Sequence, residues 1–107
     1  MREELRAYLT RDNVIRRQLL VDGSVVTEGA VTRAVLKVGD ICIDTDVAAD
    51  PIELVNTGTV VEFQLGQVLG LTKGVRSAVL YIYDAEHPEG LWWESYRVRV
   101  EDGAGCE

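Results

Sequence analysis

The chain is poor in the residues that most enzymes and metal sites are built from. Among 107 residues there is one histidine, two cysteines, two prolines and one phenylalanine. With His87 as the sole imidazole and Cys42 and Cys106 widely separated, a four-ligand nitrogen/sulfur zinc site is excluded. Two lone cysteines also make no disulfide framework. Cys42, inside the apolar run Ile41-Cys42-Ile43, reads as a small core hydrophobe, and Cys106, in the glycine-rich end, as an exposed thiol. No apolar run approaches the roughly 18 residues of a transmembrane helix, and Met1-Arg2-Glu3-Glu4 leads into no apolar signal-peptide core. The expectation is a soluble chain made in the cytosol, without membrane contact. Basic residues are also in the minority, 11 against 18 acidic, for a net charge of −7. A phosphate backbone needs a clustered basic surface, so no nucleic-acid partner is expected.

Catalytic arrangements are missing as well. No serine or cysteine sits in a nucleophile motif, and no glycine-rich loop precedes a helix. Asp84, Glu86, His87 and Glu89 resemble acid/base equipment, but they lie on a turn beside Pro88, where polar side chains collect to bond the backbone. The series Asp40, Asp44, Asp46, Asp50 lacks the glycine and glutamate spacing of a calcium-binding EF-hand loop and reads as solvated carboxylates. No enzyme activity, cofactor or metal is expected.

What the chain has in abundance is β-branched residues. Sixteen valines, five isoleucines and seven threonines make up about a quarter of it, a composition that favours strands. Turn signals recur at Asp22-Gly23, Gly39-Asp40, Thr57-Gly58, Lys73-Gly74 and Pro88-Glu89-Gly90. Between them the apolar residues alternate. Leu5, Ala7 and Leu9 share one face. Val14 to Val21 runs extended into Asp22-Gly23, the strongest hairpin signal in the chain, and returns over Ser24 to Thr27. Ala30 to Val38 sets Thr32, Ala34, Leu36 and Val38 against Val31, Arg33, Val35 and Lys37, with Ile41 to Thr45 as its hairpin partner. Ile52 to Asn56 pairs with Thr59 to Leu65, turning Val61, Phe63 and Leu65 inward. Val75 to Tyr83 is apolar on both sides, so both faces are expected to be covered. In Leu91 to Val100, Trp92, Tyr96, Val98 and Val100 face in and Trp93, Ser95, Arg97 and Arg99 face out, with Glu94 an inward exception. This pattern predicts an all-β, antiparallel, immunoglobulin-like sandwich of about seven to nine short strands over residues 1–101, with a flexible tail over 102–107. Strand order stays open.

Two features point to a surface. Adjacent strand residues face opposite ways, so one of Trp92 and Trp93 must leave the core; the alternation selects Trp93 as the exposed indole, for protein contact or for sugar stacking. Residues 1–17 carry five arginines and sum to about +2 while the remainder sums to about −9, an asymmetry suited to head-to-tail docking of identical copies. Trp93, Tyr83, His87, Arg11, Arg16 and Arg17 are therefore the interface candidates.

Three stretches carry a resemblance: Arg11-Asp12-Asn13 with Leu20-Val21-Asp22-Gly23-Ser24-Val25-Val26; Val31-Thr32-Arg33-Ala34-Val35-Leu36; and Val79-Leu80-Tyr81-Ile82-Tyr83-Asp84 through His87-Pro88-Glu89-Gly90-Leu91-Trp92-Trp93 to Val98-Arg99-Val100. In their order the chain resembles small bacteriophage virion proteins with an immunoglobulin-like domain, akin to the N-terminal domain of baseplate upper proteins. The resemblance implies a non-enzymatic structural part of a phage or prophage particle, made in the bacterial host cytoplasm and located in the virion. Its partners would be other virion proteins or copies of itself, in a homo-oligomer or larger assembly. The alternative is a small ligand- or carbohydrate-binding sandwich module.

Overall fold

The computed structural model describes residues 3–11, 13–68 and 70–101. Cys106 and the tail expected over 102–107 lie outside them. Ten strands follow one another: β1 (Glu3–Tyr8), β2 (Ile15–Gln18), β3 (Leu20–Val21), β4 (Ser24–Val25), β5 (Val31–Val38), β6 (Ile41–Asp44), β7 (Ile52–Val55), β8 (Val60–Phe63), β9 (Gly74–Asp84) and β10 (Leu91–Glu101). One 3-10 turn, Leu65–Gln67, stands between β8 and β9. The larger sheet runs β1-β10-β9-β5-β6, the smaller β2-β8-β7, and β3-β4 is a separate hairpin. The inner faces of the two sheets share one core, in which Leu36, Leu80 and Val98 meet Val61 and Phe63. The fold is thus all-β and sandwich-like, as the alternation predicts.

Local chemistry accounts for the turns. Asp22 (φ 51°) and Gly23 (φ 80°) both adopt positive φ, the signature of the type I′ turn that matches strand twist in a two-residue hairpin. Val61, Phe63 and Leu65 are buried as expected, and so are Leu5 and Ala7. The stretch from Val14 to Val21 is not one strand, however. Leu19 is fully buried; its N–H donates to the Thr59 carbonyl at 2.9 Å and its carbonyl accepts from Val26 N–H at 3.0 Å. That anchor divides β2, which pairs with β8, from the projecting β3-β4 hairpin and brings the strand count to ten.

Two further differences come from pairing. β1 lies parallel to β10, with Leu5 beside Val98 and Ala7 beside Val100, so the larger sheet is mixed rather than purely antiparallel. Parallel neighbours need a long crossover, and here the crossover is everything between the first strand and the last. Bulges then reverse the alternation at two places. A register shift between Val31 and Arg33 buries Val31 and exposes Thr32, the opposite of the period-two expectation. A second shift between Trp92 and Glu94 exchanges the tryptophans: Trp92 is 61% exposed, while Trp93 is partly buried and packs against the core.

Two burial expectations are also corrected. Cys42 is exposed, because β6 is an edge strand and Cys42 pairs with the outward Lys37 while Ile43 takes the inward place. In β9 only Ala78, Leu80 and Ile82 are buried; Val79, Tyr81 and Tyr83 are half-buried on an outer face that no second layer covers among the described residues.

Candidate functional site

The sequence candidates separate into four places. Tyr83 and His87 belong to the β9-β10 connection. There Asp84 accepts from the backbone N–H groups of Glu86 (3.0 Å) and His87 (2.8 Å), and its Oδ1 lies 2.8 Å from His87 Nδ1. The His87 ring, together with those amides, holds the Asp84 carboxyl below the usual carboxylate range. This is a turn clasp that organises Asp84 to Gly90. Gly90 closes it with φ +88°, and a Cβ there would fall 2.8 Å from Tyr83 Cζ. Gly90→Ala is accordingly expected to cost about 1–3 kcal/mol, since it adds a left-handed alanine to an overpacked contact; thermal unfolding with Gly23→Ala as the uncrowded control measures it.

Arg11 and Arg16 stand apart from this turn and from each other. Arg11 follows Thr10 (φ 65°) in the bend after β1 and donates its N–H to the Tyr8 carbonyl at 3.0 Å. Arg16, on the outer face of the smaller sheet, is paired with Glu62 on β8.

Trp93 and Arg17 do come together. They line an open groove of about 370 Å³ with Gln18, Leu20, Val21 and Glu94, where the smaller sheet and the hairpin pass the bulged end of β10. Arg17 points inward from β2, at a register position beside Val61, and its guanidinium lies 5.8 Å from the centre of the Tyr96 ring. Its Nη2 is 3.9 Å from Glu94 Oε2. Tyr96, fully buried, donates its hydroxyl to Glu94 Oε1 at 2.9 Å. Burial, with the Glu94 carboxylate as acceptor, pushes the Tyr96 hydroxyl far above its ordinary value. Glu94 is therefore the polar hinge of an inter-sheet bridge, which explains the inward carboxylate that the alternation could not accommodate. An inward arginine on edge strand β2 also discourages pairing with a foreign strand.

The groove combines an indole wall, an amide, and an acid and a base held by each other and by Tyr96. The exposed lip adds Leu20 and Val21 (51% exposed). Such a surface recognises groups with one apolar face and one polar edge. Nothing in it places a nucleophile beside a base, and among the described residues no cluster of three or more potential ligands could hold a metal ion.

A third constellation lies on the outer face of the larger sheet. Arg33 on β5 stacks over the Tyr83 ring at 4.6 Å and is paired with Asp44, its Nε 3.0 Å from Asp44 Oδ1. The Arg33 guanidinium holds the Asp44 carboxyl below its usual value, and the Asp46 N–H adds to this. A depressed folded pKa stabilises above the unfolded value of about 3.9 and is lost as pH falls through the folded one. Asp44→Asn should therefore lose stability at neutral pH and show a flatter decline below pH about 4, checked by urea unfolding across that range. The acidic series is engaged with the backbone, since Asp44 N–H donates to Asp50 Oδ2 at 2.9 Å. Beside Arg33 and Tyr83, in register across the sheet, lie Trp92 and Tyr81.

Sequence reasoning missed Trp92, Gln18, Leu20, Val21 and Glu94 as surface or site residues. The signal that would have found Trp92 was Glu94 itself: a carboxylate at an inward position marks a slipped alternation and hence a bulge. Compared with protein-family models, with curated proteins and with solved structures, the chain matches none.

Proposed function

We propose that this chain is a non-enzymatic structural and assembly component of a bacteriophage or prophage particle, with an immunoglobulin-like sandwich that binds other virion proteins or copies of itself. The observation that carries this reading is the placement of apolar side chains where the fold gives them no cover. Leu20, Val21 and Val25 are exposed on the short β3-β4 hairpin, and Trp92 stands on the open sheet face. Exposed apolar groups gathered at projecting elements are the mark of a contact surface, and a hairpin of two-residue strands is marginal in water without one. The resemblance of the three strand-turn stretches supplies the setting of the particle.

The test is to purify particles from the phage or induced prophage that encodes the chain and to count its copies by quantitative mass spectrometry. A constant copy number per particle is expected, reduced when Val21 becomes Asp; particles free of the chain would overturn the reading.

The groove beside Trp93 favours a second reading, a carbohydrate-binding module, because an indole flanked by Arg17, Gln18 and Glu94 can stack a sugar face and bond its hydroxyls. On that reading immobilised glycans retain the chain as a monomer, and Trp93→Ala releases it.

A further inference from the structure

We propose that identical copies of this chain join head to tail, with Trp92 of one copy seated in an acid-rimmed groove of the next. The proposal rests on the assembly reading above and names its partner.

The donor surface is the outer face of the larger sheet. Strand register places Trp92 beside Tyr81, Tyr81 beside Val35, and Lys37 beside Val79; farther along, Arg97 and Arg99 face outward with Glu4 and Arg6. Five basic side chains on this face (Arg6, Arg33, Lys37, Arg97, Arg99) meet four acidic ones (Glu4, Asp44, Glu101, and Asp46, which lies 3.5 Å from Arg33). The face is net +1 on a chain of net −7, so all other residues sum to −8. Lys37 and Arg97 are exposed and join no ion pair among the described residues. A large exposed indole is thus carried on a face of slight positive charge in an acidic molecule.

The acceptor lies elsewhere on the fold. A groove of about 430 Å³ runs between the loop after β6 and the smaller sheet; its exposed lining is mostly polar, with Asp50, Glu53 and Glu62 along it and Val14, Val47 and Pro51 as its apolar contacts. Val14 and Val47 are nearly half exposed. Glu53 and Glu62 are directly opposite each other on β7 and β8, a like-charge pair that costs stability in isolation. Arg16 neutralises Glu62, while Glu53 is exposed and unpaired among the described residues. A cation brought by a neighbour would relieve that pair. The volume falls in the range of pockets that admit a compact ligand.

Aromatic knob with cations therefore meets a carboxylate-lined hollow with a few apolar contacts, and the two sit on different sheets of one molecule. A contact between unlike patches is heterologous, so each copy offers one donor and one acceptor and the chain extends into a ring or a filament. Opposite charges on the two faces speed and orient such docking.

The experiment uses the whole chain in sedimentation velocity from micromolar to millimolar concentration, with two variants at exposed positions. Trp92→Ala removes the knob and keeps the hollow; Val47→Arg spoils the hollow and keeps the knob. The wild type should grow in mass with concentration and shrink at high salt. Each variant alone should associate at least about tenfold more weakly, with an unchanged circular-dichroism spectrum and melting curve. An equimolar mixture of the two should form a dimer and stop there, because each partner retains the half the other lacks. Association that survives both variants, or variants that fail to complement, overturns this contact while leaving the assembly reading intact. A wild type that stays monomeric throughout also overturns it, and particle incorporation then tests the assembly reading by itself. Saturable binding of a polyglutamate peptide to such a monomer would assign the basic face to a different acidic protein.

Discussion

Gly66→Ala is expected to destabilise the chain by on the order of 3 kcal/mol, near the upper end of what a single overpacked methyl costs. A Cβ at Gly66 would lie 2.1 Å from the Tyr8 carbonyl oxygen and 2.7 Å from that of Arg11. Both obstacles are backbone, and neither is loose. The Tyr8 carbonyl accepts from Arg11 N–H at 3.0 Å, and the Gly66 carbonyl accepts from Thr10 N–H at 2.9 Å. The methyl group would force apart the seam that holds the end of β1, an edge strand, against the 3-10 turn. At this chain length, 3 kcal/mol corresponds to a fall in Tm of about 12 °C or more. Gly23→Ala supplies the control: its φ is +80° but nothing lies within 4 Å of a Cβ there, so only backbone strain of about 1 kcal/mol is expected. A Gly66→Ala protein within 1 kcal/mol of the wild type in urea unfolding would show that the seam does not exist.

The second large effect concerns Tyr96. Tyr96→Ala removes the largest fully buried side chain and should cost about 3–5 kcal/mol, as large aromatic truncations in a core do. Tyr96→Phe keeps the ring and loses only the hydroxyl donated to Glu94, for about 1 kcal/mol. The difference separates packing from the polar bridge. The bridge has its own pH signature. Because folding raises the Tyr96 hydroxyl above its ordinary value near 10, its contribution is complete below pH about 10 and declines as pH rises from there, where the unfolded chain ionises first. Tyr96→Phe should flatten that alkaline decline of stability, measured by urea unfolding between neutral pH and pH about 11. An unchanged slope would mean that folding does not raise the hydroxyl by burial and its bond to Glu94. Tyr96→Phe should also leave Arg17 mispositioned beside Trp93, so a loss of glycan retention beyond what its modest fall in melting explains would identify the bridge as what shapes the groove.

Much of this architecture is legible in the sequence because it depends on neighbours along the chain. Asp22-Gly23 determines its own turn, since few residue pairs tolerate two successive positive φ angles. The alternations Leu5-Ala7, Val61-Phe63-Leu65 and Ala78-Leu80-Ile82 determine which faces are buried, because side chains in a strand repeat every two residues. Together they are sufficient for an all-β, two-layer fold. Only the tertiary structure decided the rest. Whether Trp92 or Trp93 leaves the core depends on a bulge opposite Tyr81 and Leu80, and Thr32 trades places with Val31 for the same reason, since a single extra residue inverts every face beyond it. That Cys42 is exposed follows from β6 being an edge, a property of strand order. The parallel pairing of β1 with β10, and the meeting of Arg17, Glu94 and Tyr96 across the two sheets, join residues almost a chain length apart. No local periodicity encodes such distances; they are chosen by which apolar faces must close over one another.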